Sequence, residues 1–144
     1  MLTRFLPKQK PYDTERIKIL LVGNNPIELS GIYEQLTALK DKMVDVYVSF
    51  NEKEVLKNIS NIKPQCIIVD DNYGTKSSQK LIRTIRKIRN RFFYLTLLKT
   101  SNTNSIMGFN DYFMKEGVTA DRLYNSFKKG LLFKNRISKS NIPA

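Results

Sequence analysis

Cys66-Ile67-Ile68-Val69-Asp70-Asp71 decides the fold. Four compact apolar residues run into two carboxylates, with Lys63-Pro64 before them and Asn72-Tyr73-Gly74 after. A short unbroken apolar run between breakers is the pattern of a strand buried on both faces, most often in a parallel sheet. A carboxylate at the carboxyl end of such a strand stands where open α/β sheets place their ligands. The rest of the chain reads as an arrangement around Asp70.

Upstream, Ile17, Ile19, Leu20, Leu21 and Val22 form a second buried-strand pattern, stopped by the breaker cluster Gly23-Asn24-Asn25-Pro26. The spacing predicts a helix from about Pro26 to Lys40, with Leu29, Ile32, Tyr33, Leu36 and Leu39 on its buried face. Proline suits the first helical position because its missing N–H would have no partner there. Val44-Asp45-Val46-Tyr47-Val48 alternates and predicts a half-exposed strand. Asn51 followed by Glu54 resembles a capping box opening a second helix, whose stripe is Val55, Leu56, Ile59 and Ile62.

Downstream, a third helix is expected over roughly Ser77 to Arg89, with Leu81, Ile85 and Ile88 as its core line and Ile82 beside them. Phe92 to Leu98 reads as a fourth strand and Asp111 to Met114 as a fifth; the polar link from Lys99 to Asn110 holds at most a short helix. A last helix, from about Thr119 to Lys134, buries Leu123, Tyr124, Phe127 and Leu131. Five strands alternating with helices predict an α/β domain with a parallel sheet and right-handed crossovers. Residues 1–16 are expected to be a basic arm, 17–134 the domain and 135–144 a mobile C-terminal tail.

The 144 residues fit one core, and 41% hydrophobic with 26% charged residues fits a globular chain. No apolar run approaches the ~20 residues of a membrane span, and Pro7 breaks the start too early for a secretory signal. A lone Cys offers no disulfide framework, so a reducing cytoplasm is the expected setting. The absence of His removes His-based catalysis, the usual zinc sites and a phospho-His relay. With no nucleophile elbow, P-loop or Gly-rich dinucleotide turn, turnover on a small substrate is not expected.

The net charge of +12 favours an acidic protein, nucleic acid or an anionic membrane surface, unless it serves solubility alone. No Asp or Glu occurs between Asn72 and Asn110, an interval holding Lys76, Lys80, Arg83, Arg86, Lys87, Arg89, Arg91 and Lys99. Lys80, Arg83 and Lys87 fall opposite the core line of the third helix and form a candidate partner-binding face, or simply a solvated one. No base-reading motif accompanies them, so a protein partner is preferred, and any nucleic-acid binding would be backbone-driven and salt-sensitive.

Four signatures over roughly residues 17–132 resemble a response-regulator receiver domain. Ile19-Leu20-Leu21-Val22-Gly23-Asn24-Asn25-Pro26 resembles the family's first strand and acidic turn. Ile67-Ile68-Val69-Asp70 is similar to the strand that delivers the phospho-accepting aspartate. Thr100 stands in the place of the switch hydroxyl, and Tyr112-Phe113-Met114-Lys115 resembles the switch aromatic followed by the family's lysine. The resemblance implies a flavodoxin-like (CheY-like) sheet of order 2-1-3-4-5, an arrangement for which a chemotaxis receiver is a standard example. It also implies a chemistry in which Asp70 accepts a phosphoryl group, Mg²⁺ neutralises its oxygens and Lys115 pairs with the acceptor.

The sequence departs from that pattern. Gly23 and Asn24 replace the two acidic Mg²⁺ ligands, leaving Asn24, Asp70 and the Asn72 carbonyl as a degenerate set that would bind Mg²⁺ weakly or not at all. Strand alternation predicts that Asp71 points away from Asp70. Glu116 follows Lys115 where the family has Pro, and the fourth helix is expected to be shortened or missing. The expectation is therefore an atypical pseudo-receiver without an attached output domain, acting by protein–protein contact in two-component-type signalling, with Asp phosphorylation impaired or absent. Two alternatives stand: a single-domain response regulator phosphorylated on Asp70, and a basic accessory protein bound to nucleic acid or a ribonucleoprotein or polymerase-like assembly. Asp70 as a plain turn carboxylate, Lys115 as its structural partner, Tyr112 as core filling and Cys66 as a small buried hydrophobe are the blander readings of the same residues.

Overall fold

The computed structural model describes residues 16–39, 44–88, 91–100 and 106–140, with side chains as far as residue 132. The basic arm and Arg89 lie outside the described residues, apart from Arg16. In chain order the elements are β1 (Ile17–Val22), α1 (Pro26–Thr37), β2 (Val44–Ser49), α2 (Glu52–Ile62), β3 (Cys66–Asp70), a 3-10 turn (Asp71–Tyr73), α3 (Thr75–Arg86), β4 (Tyr94–Lys99), β5 (Asp111–Met114) and α4 (Ala120–Ser140). The sheet is five-stranded in order β2-β1-β3-β4-β5, every pair parallel. Val22 and Val69 are register partners on adjacent central strands.

Strand period explains why β1 and β3 are apolar at consecutive positions. Leu20, Val22, Ile67 and Val69 face the layer formed by α2 and α3, against Val55, Ile59, Leu81 and Ile85. Ile19, Leu21, Cys66 and Ile68 face the layer of α1 and α4, against Leu29, Leu36, Leu123 and Phe127. Both faces are covered, so each strand residue loses its water and contributes on the order of 1.5–3 kcal/mol if large and aliphatic.

The helix starts follow from their caps. Asn25 Oδ1 accepts from the N–H groups of Ile27 (3.0 Å) and Glu28 (3.3 Å), with Pro26 at the first turn. Asn51 Oδ1 accepts from Glu54 N at 2.8 Å, while Glu54 Oε1 reaches back to Phe50 N at 2.7 Å. Helix α3 begins at Thr75 rather than Ser77, because Gly74 at φ 102° turns the chain directly out of the 3-10 turn.

Three expectations change. Tyr33 is not on the buried face of α1 but 39% exposed, one position round from Ile32. Helix α4 continues to Ser140, past the boundary of the expected tail, because no Pro occurs before Pro143; residues 141–144 lie outside the described residues. A fourth helix is present in chain order, but it is α4, after β5. Between β4 and β5 the described residues, 100 and 106–110, form no helix, and residues 101–105 lie outside the described residues. Ile106 and Phe109 from that link are buried against the α3 layer.

Candidate functional site

The carboxyl ends of the parallel strands bring five segments to one point. Asp70 is the last residue of β3, beside Leu98 of β4. Thr100 follows β4. Lys115 follows β5, and its N–H donates to Lys99 O at 2.9 Å, which ties it to the end of β4. Glu28 rises from the first turn of α1, and Asn72 comes from the 3-10 turn.

At the centre is the Lys115 ammonium. Its Nζ lies 2.5 Å from Asp70 Oδ1, 2.7 Å from Asp71 Oδ1 and 4.0 Å from Glu28 Oε1. The two aspartate side chains are each 5% exposed and Lys115 is 21% exposed. Asp70 Oδ1 also accepts from Asn72 N at 3.0 Å, so the turn-carboxylate role and the lysine pairing coexist in one side chain.

Asp71 corrects the expectation from strand alternation. Alternation ends with β3 at Asp70, and the tighter 3-10 turn swings the next side chain back over the strand ends. Asp71 Oδ2 accepts from Thr100 N at 2.7 Å and from Thr100 Oγ1 at 3.2 Å. The switch-position hydroxyl is thus engaged with Asp71.

Glu28 was missed from the sequence. Its signal was available: Pro26 after the Asn25 cap places residue 28 in the first turn, facing the strand ends. Asn72 Nδ2 donates to Glu28 Oε1, and Asn72 Oδ1 accepts from Asn24 N at 3.2 Å. Asn72 therefore closes the Gly23-Asn24 turn. A Cβ on Gly23 would stand 3.1 Å from Asn72 Oδ1 and 3.2 Å from Leu29 Cδ1 and Cγ, tighter than an ordinary contact.

Tyr112 lies apart from this cluster. It is 41% exposed, so it does not serve as core filling. Its hydroxyl donates to Ile106 O at 2.9 Å, and its ring meets Phe109 edge-on at 6.0 Å. Lys80, Arg83 and Lys87 are exposed along α3, with Lys76 on the same stripe; Lys80 approaches Glu52 at 3.9 Å. A cleft of about 270 Å³ adjoins the ion cluster, lined by Glu28, Ile32, Gln35, Leu98, Lys115 and Val118.

Three carboxylates facing one ammonium make the cluster net anionic, which favours protons on its members. Burial pushes the Asp70 carboxyl above its ordinary value, only partly offset by the Asn72 N–H and Lys115. Desolvation pulls Lys115 down, but its bonds to Asp70 and Asp71 together outweigh it and hold the ammonium above its ordinary range. Burial alone pushes the Cys66 thiol up, as for an inert core residue.

Both aspartates are turned on Lys115, Gly23 has no side-chain donor, and the Asn72 side-chain oxygen accepts from Asn24 N. Among the described residues no group of three or more Asp, Glu, Cys or His side chains is disposed to hold a metal. Among the same residues, no helix is long and apolar enough to cross a membrane.

No protein-family model matches the chain, and no curated protein matches it by sequence. Solved structures do. A signal receiver domain from Vibrio parahaemolyticus shares 20% identity and a TM-score of 0.67, covering 90% of this chain and all (100%) of that one. A CheY-like response regulator receiver domain from Methanospirillum hungatei shares 17% identity at TM-score 0.64, covering 85% and 98%. One from Methylobacillus flagellatus shares 13% at TM-score 0.64, covering 78% and 99%. On this similarity of structure, the chain has the fold of the response-regulator receiver domains.

Proposed function

We propose that this chain is an atypical receiver-like signalling module that works through protein contact, in a reducing cytoplasm, with phosphorylation of Asp70 impaired or absent. The observation that carries the reading is the closed turn at Gly23. Where the family keeps acidic metal ligands, Gly23 and Asn24 bring no carboxylate, and Asn72 fills the adjacent space. A phosphoryl donor is itself anionic. Without a dication it meets three carboxylates and one ammonium, a field that repels it. Lys115 pairs with both buried aspartates, so the cluster already holds a compensating positive charge without a metal. The partner face is the α3 stripe of Lys80, Arg83 and Lys87, whose charge suits an acidic protein surface.

The test is incubation with Mg²⁺ and a small acyl-phosphate donor, followed by intact-mass measurement. No phosphoryl adduct on Asp70 is expected, and no saturable change of Tyr fluorescence with Mg²⁺ in the low-millimolar range. A stable adduct on Asp70 would instead establish the chain as a phosphorylated response regulator. Gly23→Asp with Asn24→Asp should regain Mg²⁺ binding best when Asn72→Ala clears the turn, since Asn72 Oδ1 occupies the approach to residue 23.

A further inference from the structure

The opposite end of the sheet carries a second cleft. It has a volume of about 530 Å³ and gathers Arg16, Lys18, Lys63 and Arg91 around a single carboxylate, Asp45. These residues are distant in sequence. Arg16 precedes β1, Lys18 and Asp45 are the second residues of β1 and β2, Lys63 precedes β3 and Arg91 precedes β4. A parallel sheet aligns strand starts, so four positive charges meet at one edge. The length of β3, on the order of 13 Å, separates this edge from Asp70.

Lys18 is the anomaly that points to use. It sits inside β1, a central strand whose other members are apolar, and it is half-buried. Charged residues in such strands break the local pattern, and breaks of that kind gather at functional sites. The cations are also held in place. Arg16 Nε meets Asp45 Oδ1 at 2.8 Å and its Nη2 donates to Val44 O at 2.8 Å. Lys18 Nζ donates to Ile62 O at 3.2 Å, and Arg91 Nη2 reaches Pro64 O at 3.5 Å. Lys63 is fixed at its backbone, in the left-handed region at φ 58°, as the cap of α2. Apart from the Arg16–Asp45 ion pair, the bonds are to carbonyls, which orient these groups without neutralising them. Each ammonium and guanidinium retains donors beyond those bonds, and four cations against one carboxylate leave a surplus of three positive charges.

We propose that this cleft binds a phosphate group. The shared chemistry is a tetrahedral oxyanion met by preset ammonium and guanidinium donors. Its source is either a free phosphate compound or a phosphate of a polynucleotide backbone. The site is independent of the Asp70 cluster and of any phosphoryl transfer there.

The experiment uses the full chain, at constant ionic strength, and follows amide shifts and melting temperature against inorganic phosphate and, separately, a short single-stranded oligothymidylate. Wild type should bind at least one probe saturably. Lys63→Asn with Arg91→Gln should weaken that binding roughly tenfold or more, as expected when charge-assisted contacts are lost. Asn is chosen at 63 because it tolerates the left-handed backbone. Lys53→Gln with Lys57→Gln removes the same charge from exposed positions of α2 outside the cleft and should leave the affinity unchanged. Arg91→Gln also removes the bond to Pro64 O and the guanidinium contact with the Phe93 ring at 4.9 Å, so affinities are compared at temperatures where both chains are folded. Tighter oligonucleotide binding, competed by inorganic phosphate, assigns the phosphate to a polymer; equal affinity per phosphate assigns it to a free compound. The proposal is overturned if neither probe saturates, if the α2 control loses as much affinity, or if a folded cleft variant binds like wild type. Should the double variant fail to fold, Arg91→Gln alone decides by the same criteria.

Discussion

Lys115 Nζ lies 2.7 Å from Asp71 Oδ1, nearly as close as it lies to Asp70, so one ammonium serves two buried carboxylates. Removing the ammonium and removing one carboxylate are therefore unequal changes. Lys115→Met leaves both aspartates buried without a cation and should destabilise by about 3 kcal/mol. Asp70→Asn leaves Lys115 paired with Asp71 and should cost roughly 1 kcal/mol. Urea melts of the two single variants and the double variant measure this, and equal losses with no coupling would contradict the shared-lysine geometry.

The same cluster sets a pH dependence. Lys115 is raised above its ordinary 10.5, so the stability it contributes is fully present below 10.5 and disappears as pH climbs through its folded value. Asp70 is also raised, from 3.8, so its ionised form is penalised in the fold. That penalty is present at neutral pH and fades as pH falls through the folded value toward 3.8. Relative to Asp70→Asn, wild type should gain stability over that acidic interval. Relative to Lys115→Met, it should lose its advantage in strong alkali. Paired denaturation curves across pH check both signs.

Gly130 sits inside α4 with the Tyr94 ring laid against it. A Cβ there would stand 2.1 Å from Tyr94 Cε1 and 2.4 Å from Cδ1. Helix propensity alone predicts that Gly130→Ala stabilises by about 1 kcal/mol. Overpacking against a ring opposes this with a penalty of roughly 1–3 kcal/mol. The ring cannot easily withdraw, because its edge packs on Phe127 at 6.2 Å and its hydroxyl bonds Ser126 Oγ at 2.9 Å. Destabilisation is the expected sign. Tyr94→Leu should make the second substitution neutral or favourable, and thermal melts of the four chains give the answer.

Reversing Lys80, Arg83 and Lys87 to Glu leaves the buried line of Leu81, Ile82 and Ile85 untouched, so α3 should persist by circular dichroism. A protein partner captured by wild type should be lost, with salt slowing association and nucleic acid failing to compete. If the stripe instead docks on phosphate backbone, log affinity for duplex or structured RNA should fall linearly with log salt. The slope would be roughly −0.7 to −0.9 per phosphate neutralised.

The parallel α/β alternation, the two-sided core and the position of Asp70 were legible because they are properties of local pattern, whereas the strand order was implied by the resemblance to receiver domains. Apolar runs bounded by breakers specify buried strands, and alternation with amphipathic helices admits few topologies. The nearness of Lys115 to Asp70 was implied by the resemblance to receiver domains, whose lysine pairs with the acceptor aspartate. The sequence could not reveal where side chains turn once regular periodicity stops. Asp71 leaves strand geometry for a 3-10 turn, so its direction depended on that turn. Glu28 reaches the cluster across a loop, through Asn72. Tyr94 and Gly130 meet only because β4 and α4 pack together. The cleft of Arg16, Lys18, Lys63 and Arg91 exists only because parallel strands bring their distant starting residues to one edge. Periodicity along a chain determines which face is buried; the convergence of charges from separate segments is decided by three-dimensional packing.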